Sequence, residues 1–174
     1  MRKTKAKIDY GKGKKMITMK KIVFCMALLG FVLGGGLCFA ASNEIGRDGT
    51  YVAYDNGIVR DTNTGLEWVV GPDKDTIWEE AKSWVEGLNA GKGWRMPKMG
   101  ELEGLYKEGS GERNMTPLLK TNGWWVWSED FKETTSHSMA WNFNFFHGTG
   151  RWNFSEDSTD RRAFAVRSLK DKKR

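Results

Sequence analysis

All nine tryptophans of this 174-residue chain fall after residue 67, and both cysteines, Cys25 and Cys38, fall before residue 40. Whatever folds beyond residue 40 must close its core with aromatic rings and without a disulfide, although secreted domains of this size often rely on one. The same absence removes thiol nucleophiles, zinc–thiolate sites and haem attachment. Tryptophan is too large to be fully buried in most settings, so a cluster of it is either core or surface. The densest cluster is "NGWWVWSED", Asn122 to Asp130, with Trp124, Trp125 and Trp127. In a strand Trp125 and Trp127 project to one face, and Trp124 and Val126 to the other. The three rings therefore cannot serve one purpose.

The chain begins with a basic extension, residues 1–19, in which Met16 and Met19 are alternative starts. Residues 20–40 read as a signal peptide: Lys20 and Lys21, an apolar run, then small residues at the −3 and −1 positions of Cys38-Phe39-Ala40. Cleavage is expected after Ala40. No small residue precedes either cysteine, which argues against lipoprotein acylation, and Gly34, Gly35 and Gly36 argue against an uncleaved helical anchor. Nine of the 28 basic residues and one of the 22 acidic ones lie in residues 1–40, leaving 19 against 21. The electrostatic footprint of a nucleic-acid binder is missing from the part that folds, so no nucleic-acid partner is expected. The expected location is exported: periplasmic, cell-surface or extracellular, with membrane contact only through the signal segment.

Residues 41–169 read as one domain, and 170–174, "KDKKR", as a basic tail. "YVAYDNGIVRDTNTGLEW" gives short strands with turns at Asp55-Asn56-Gly57 and Asn63-Thr64-Gly65. A helix follows in "TIWEEAKSWVEGLNAG", with Thr76 and Glu79 at capping-box spacing and Gly91 as its stop. Trp78, Ala81, Val85 and Leu88, with Trp84 alongside, form its apolar stripe. A second helix is expected over Lys98 to Lys107, burying Leu102, Leu105 and Tyr106 and exposing Glu101 and Glu103. Aromatic, alternating strands then follow a Gly-rich loop; in "AWNFNFF" Trp141, Phe143 and Phe145 share one face and Asn142 and Asn144 the other. Strands at both ends with helices between them predict an α+β fold.

Five segments in this order resemble the Lcl C-terminal domain family: "DNGIVRDTNTGLEWVV", "TIWEEAKSWVEGLNAGKGWRMPKMGEL", "WVWSED", "AWNFNF" and "FAVRSL". The motif residues are Trp68 in the T-G-L-x-W strand, Trp94, Arg95, Pro97 and Glu101 in the W-R-x-P segment, Trp127 and Ser128, Trp141, and Arg167. The resemblance implies a single C-type-lectin-like domain, with two helices packed on antiparallel strands and the terminal strands paired. It also implies an adhesin-type domain, since the member that names the family binds sulfated polysaccharides. Relatives carry cysteines where this chain has Val85 and Ser168, as for a disulfide that extra buried tryptophan would offset here. Lys98 stands where relatives often have a capping residue, so the second helix should start on a weak cap. Trp127 matches the family's W-S strand, which assigns Trp125 and Trp127 to the core and leaves Trp124 as the exposed platform. Arg95 reads as structural, with Glu67 and Glu101 as candidate partners.

His137 and His147 are the only histidines, without HExxH spacing, so neither reads as catalytic, and no metal or cofactor is expected. The acidic run Ser155 to Asp160 lacks EF-hand spacing and reads as a surface turn. An enzyme of the formylglycine-generating type shares the implied fold but needs cysteines the domain lacks. The expected function is a non-catalytic binding module recognising glycan through Trp124, His147, Arg151, Trp152, Asn153, Arg161 and Arg162, the last six on surface turns. The alternative is a structural or protein-interaction domain of the envelope with no small ligand.

Overall fold

The computed structural model describes residues 42–169, so the signal segment, its cleavage point, the basic extension and the tail lie outside the described residues. The architecture is α+β, with two sheets and two helices. Strands β1 (Glu44–Asp48), β2 (Tyr51–Tyr54), β3 (Val59–Asp61) and β4 (Leu66–Val70) form an antiparallel meander. The predicted turns hold: Gly57 and Gly65 take φ of 80° and 76°, which a side chain would resist.

The last strand, β9 (Phe164–Ser168), joins this sheet by pairing with β4, from Leu66↔Ser168 to Val70↔Phe164. The expected pairing of the terminal strands is thereby corrected. β1 and β9 share a sheet but occupy opposite edges. The reason is burial: Phe164, Ala165 and Val166 are enclosed on both faces and need the Trp68 strand beside them, whereas β1 is largely exposed.

The second sheet runs β7-β6-β5-β8, from β5 (Trp125–Glu133), β6 (Ser138–Asn144), β7 (Thr149–Phe154) and the two-residue β8 (Arg161–Arg162), which lies parallel to β5. Two helices, α1 (Trp78–Glu86) and α2 (Met99–Leu105), precede it in sequence.

Alternation along three strands divides the interior in two. Val126, Trp141, Phe143, Phe164 and Val166 face Trp68, Leu102 and Leu105 in the larger core. Their neighbours Trp127, Ala140 and Ala165, with Ala163, face Trp78, Ala81 and Val85 of α1 in the smaller one. Small alanines on the strands leave room for the indoles. Both indole N–H groups find carbonyls, Trp127 Nε1 donating to Thr76 O at 2.8 Å and Trp78 Nε1 to Ser128 O at 2.8 Å. Trp84 and Leu88, predicted in the apolar stripe, are only half-buried at its margin.

Helix ends depart from the sequence reading. The Thr76–Glu79 capping box does not form; Ile77 takes the N-cap position without a side-chain bond, and Trp78 N donates to Ser155 O at 2.9 Å. Thr76 is buried, its carbonyl already held by Trp127. The helix stops at Gly87, and Gly91, at φ 97°, turns the following loop. α2 is also shorter than expected. Its weak cap at Lys98 is offset from elsewhere: Glu101 Oε2 accepts Lys98 N at 2.8 Å, and Asp130 Oδ2, 31 residues away, accepts Met99 N at 3.2 Å. Asp130 sits in the irregularity of β5 between Trp127 and Phe131, where Ser128 Oγ donates to it at 3.0 Å. Hence Ser128 and its acidic neighbours join β5 to α2.

Arg95 grips Glu101, not Glu67, with both ends of its guanidinium at 2.8 and 2.5 Å. This leaves Glu101 half-buried rather than exposed. The Arg95 backbone also exchanges hydrogen bonds with Val166 at 3.0 and 2.9 Å, tying the W-R-x-P segment to β9. Glu67 is gripped instead by Arg60 and Arg167, and Arg167 reaches on over the Trp94 ring at 4.4 Å.

Gly150 on β7 lies under the Trp141 ring, where an added Cβ would come within 1.7 Å of Trp141 Cζ2. Gly150→Ala is expected to cost about 1–3 kcal/mol, as overpacking does. Urea unfolding of the variant checks this; an unchanged midpoint would show that Trp141 moves freely.

Candidate binding surface

The sequence-predicted site residues fall into three groups. Arg161 and Arg162 are withdrawn from the surface, at 3% and 6% exposed. Arg162 bonds Asp73 at 2.9 Å, Asp75 at 2.8 Å and the Asn122 side chain. Arg161 bonds Asp157 at 2.7 Å and Thr159 O at 2.9 Å. They sit in β8, where the parallel pairing with β5 covers them; the partners of Arg162 are distant in sequence, while Arg161 turns back on Asp157, four residues earlier. The segment from His147 to Arg162 is not a run of turns, since β7 occupies its middle.

The second group is split by the pleat. Arg151 and Asn153 project from one face of β7 and Trp152 from the other, where it leans on the larger core with Lys132 Nζ 4.1 Å over its ring. Trp125, expected in the core, is half-buried on the Arg151 face, outside the smaller core that α1 lines. The acidic run is also engaged internally. Asp157 holds Arg161, and Asp160, at φ 56°, accepts Trp124 N at 3.2 Å.

The third group comes together. Trp124 is half-buried, and its ring meets Phe146 edge-on at 5.1 Å; Phe146 in turn meets His147 at 4.8 Å. Phe146 is 58% exposed, so the three rings form an apolar step open to solvent. Asn144 positions the outer two: its Oδ1 accepts Phe146 N at 2.8 Å and His147 N at 2.9 Å. The turn closes at Gly148, at φ 65° against the Tyr106 ring.

Arg113 completes the surface. Its guanidinium lies 4.3 Å over the Trp124 ring and donates to Asn122 O at 3.0 Å. The loop that carries it is anchored by Asn114, which accepts Gly109 N at 2.9 Å and donates to Phe145 O at 2.9 Å. On its other side Arg113 lines an open groove of about 480 Å³, with Asp73, Thr116, Lys120, Thr121 and Asn122. The arrangement offers apolar ring faces, the cations Arg113 and Lys120, neutral hydrogen-bonding groups, and the carboxylates of Asp73 and Glu112 along one strip. It suits a ligand with both C–H faces and hydroxyl or anionic groups.

Sequence reasoning named Trp124 and His147 but missed Phe146 and Arg113. A signal for Phe146 was present. In "AWNFNFF" the inward positions are 141, 143 and 145, so the second phenylalanine of the pair has to face outward.

Among known proteins, the family model described as the Lcl C-terminal domain matches residues 57–167. No curated protein and no solved structure matches the chain.

Proposed function

We propose, for a chain that belongs to the Lcl C-terminal domain family, the role of an exported, non-catalytic binding module of the bacterial envelope that holds glycan on the Trp124–Phe146–His147 step. The observation that carries this reading is the exposed Phe146 ring between Trp124 and His147, beside an arginine that has no carboxylate partner among the described residues. Sugar C–H faces stack on such rings, and hydroxyls pair with short polar groups like those of the adjoining groove. Arg113 adds a contact to a sulfate or carboxylate on the glycan. Because the folded part is slightly acidic overall, stacking carries at least as much of the affinity as charge.

A glycan array on the purified protein tests the class. Reproducible glycan hits support the reading; silence together with a defined protein partner in a pull-down favours an envelope interaction domain instead. Phe146→Ala is expected to weaken binding to neutral and anionic glycans alike by roughly two- to tenfold, the worth of one aromatic contact. Arg113→Ala should act on anionic glycans alone and flatten their salt dependence. Titrations at two salt concentrations separate these effects. Equal losses on neutral and anionic ligands in Arg113→Ala would remove the charge contact from the account.

A further inference from the structure

Eight arginines lie among the described residues. Six hold a carboxylate: Arg47, Arg60, Arg95, Arg161, Arg162 and Arg167. The other two are Arg113 and Arg151, and each lies over a tryptophan instead, 4.3 Å above Trp124 and 4.4 Å above Trp125. These tryptophans are consecutive, so the pleat sends them to opposite faces of the second sheet. Trp124 leans on the larger core, whereas Trp125 shares the face of Trp127. One strand end thus carries two arginine–tryptophan pairs, back to back.

We propose that Arg151, with Trp125 and Asn153, is a second binding site that takes an oxyanion group, a sulfate ester or a carboxylate on a polymer. The domain is thereby bivalent and bridges two stretches of an anionic chain. Arg151 is exposed and its planar fork fits such groups. The Trp125 ring below it restrains the side chain in advance, so less freedom is lost when a ligand arrives. With its oxygen toward the arginines, the Asn153 amide accepts Arg151 Nε at 3.2 Å and Arg161 Nη2 at 3.1 Å. This leaves the outer nitrogens of Arg151 for a ligand.

Beneath the ring, Arg161 supplies a second positive charge, 5.7 Å from the Trp125 centre. Burial lowers its pKa, Asp157 opposes that, and the charge of Arg151 lowers it again. The two cations repel one another, and an anion on Arg151 relieves the repulsion. Bridging rests on the Arg113 site being as proposed above; binding at Arg151 does not.

The test uses the purified protein with long dextran sulfate, polygalacturonate and neutral dextran, read by sedimentation for binding and by light scattering for cross-linking. A bivalent protein gives a scattering maximum at an intermediate protein-to-polymer ratio. The wild type is expected to cross-link dextran sulfate, polygalacturonate or both, and the comparison assigns the oxyanion; dextran should show none. Arg151→Ala should still bind the anionic polymer, but its scattering should fall to background. Arg113→Ala should lower the scattering too, and the double variant should bind the anionic polymer more weakly than either single variant. Arg151→Gln and near-ultraviolet circular dichroism guard against misfolding of the alanine variant.

Cross-linking by Arg151→Ala at the wild-type level would overturn the second site. So would complete loss of binding in Arg113→Ala alone. Loss of binding in Arg151→Ala with none in Arg113→Ala would keep the second site, but overturn both the bridging and the reading of the first. If the wild type binds neither anionic polymer, the second site falls, while the first is decided by the glycan array.

Discussion

Trp127→Ala is expected to lower the unfolding free energy by about 3–5 kcal/mol, the range for truncating a large buried side chain. The ring is 0% exposed, and its N–H holds Thr76 O just before α1, so the variant loses packing and one buried bond together. Denaturant unfolding measures the loss directly. Because both cysteines lie before residue 40, adding reductant should leave the melting temperature of the folded part unchanged. A loss below about 1 kcal/mol would mean that the smaller core closes without this ring. Trp84→Ala should cost clearly less, since that side chain is only half-buried.

Glu67→Ala is expected to cost about 3–5 kcal/mol, because removing one member of a buried ion pair strands the other. Arg167, 11% exposed, is the charge left stranded; Arg60, at 37%, can turn to solvent. The same site sets an acid dependence. Burial pushes the Glu67 carboxyl up, but the hydrogen bonds and charges of Arg60 and Arg167 outweigh it and hold the group below the ordinary glutamate value of 4.5. A lowered folded value means that the stabilisation is complete above 4.5 and disappears as pH falls through the folded value. Unfolding curves of wild type and Glu67→Gln from pH 7 down to 3 isolate this effect from the other carboxylates. The gap between them should narrow below pH 4.5, and a constant gap would sink the linkage.

Much of the fold was legible in local pattern. The turns at Gly57 and Gly65 announced the meander, the alternation of Trp141, Phe143 and Phe145 announced a strand, and the stripe of Trp78, Ala81 and Val85 announced α1. The errors lie where a distant partner decides. Thr76 looked like a cap but is claimed by Trp127, while Met99 is capped by Asp130 from another strand. Arg162 looked like surface charge because Asp73 and Asp75 lie far back in the sequence, and Arg161 because the strand that covers it, β5, is distant too. Trp125 looked like core because its spacing from Trp127 puts both on one face, and spacing cannot show that only Trp127 joins the core lined by α1. The candidate surface was half visible for the same reason. Trp124 and His147 stood out by type, but their link through Phe146 and the position of Arg113 depend on how two loops meet.

The division of the interior has a consequence for biosynthesis. Phe164 and Val166 complete the larger core, and Ala163 and Ala165 complete the smaller one, so a single late strand finishes both. A ribosome-bound nascent chain that lacks residues 163–169 can close neither. Its contacts to β4 and to Arg95 span long sequence separations, which delays stable folding until synthesis of the domain is complete.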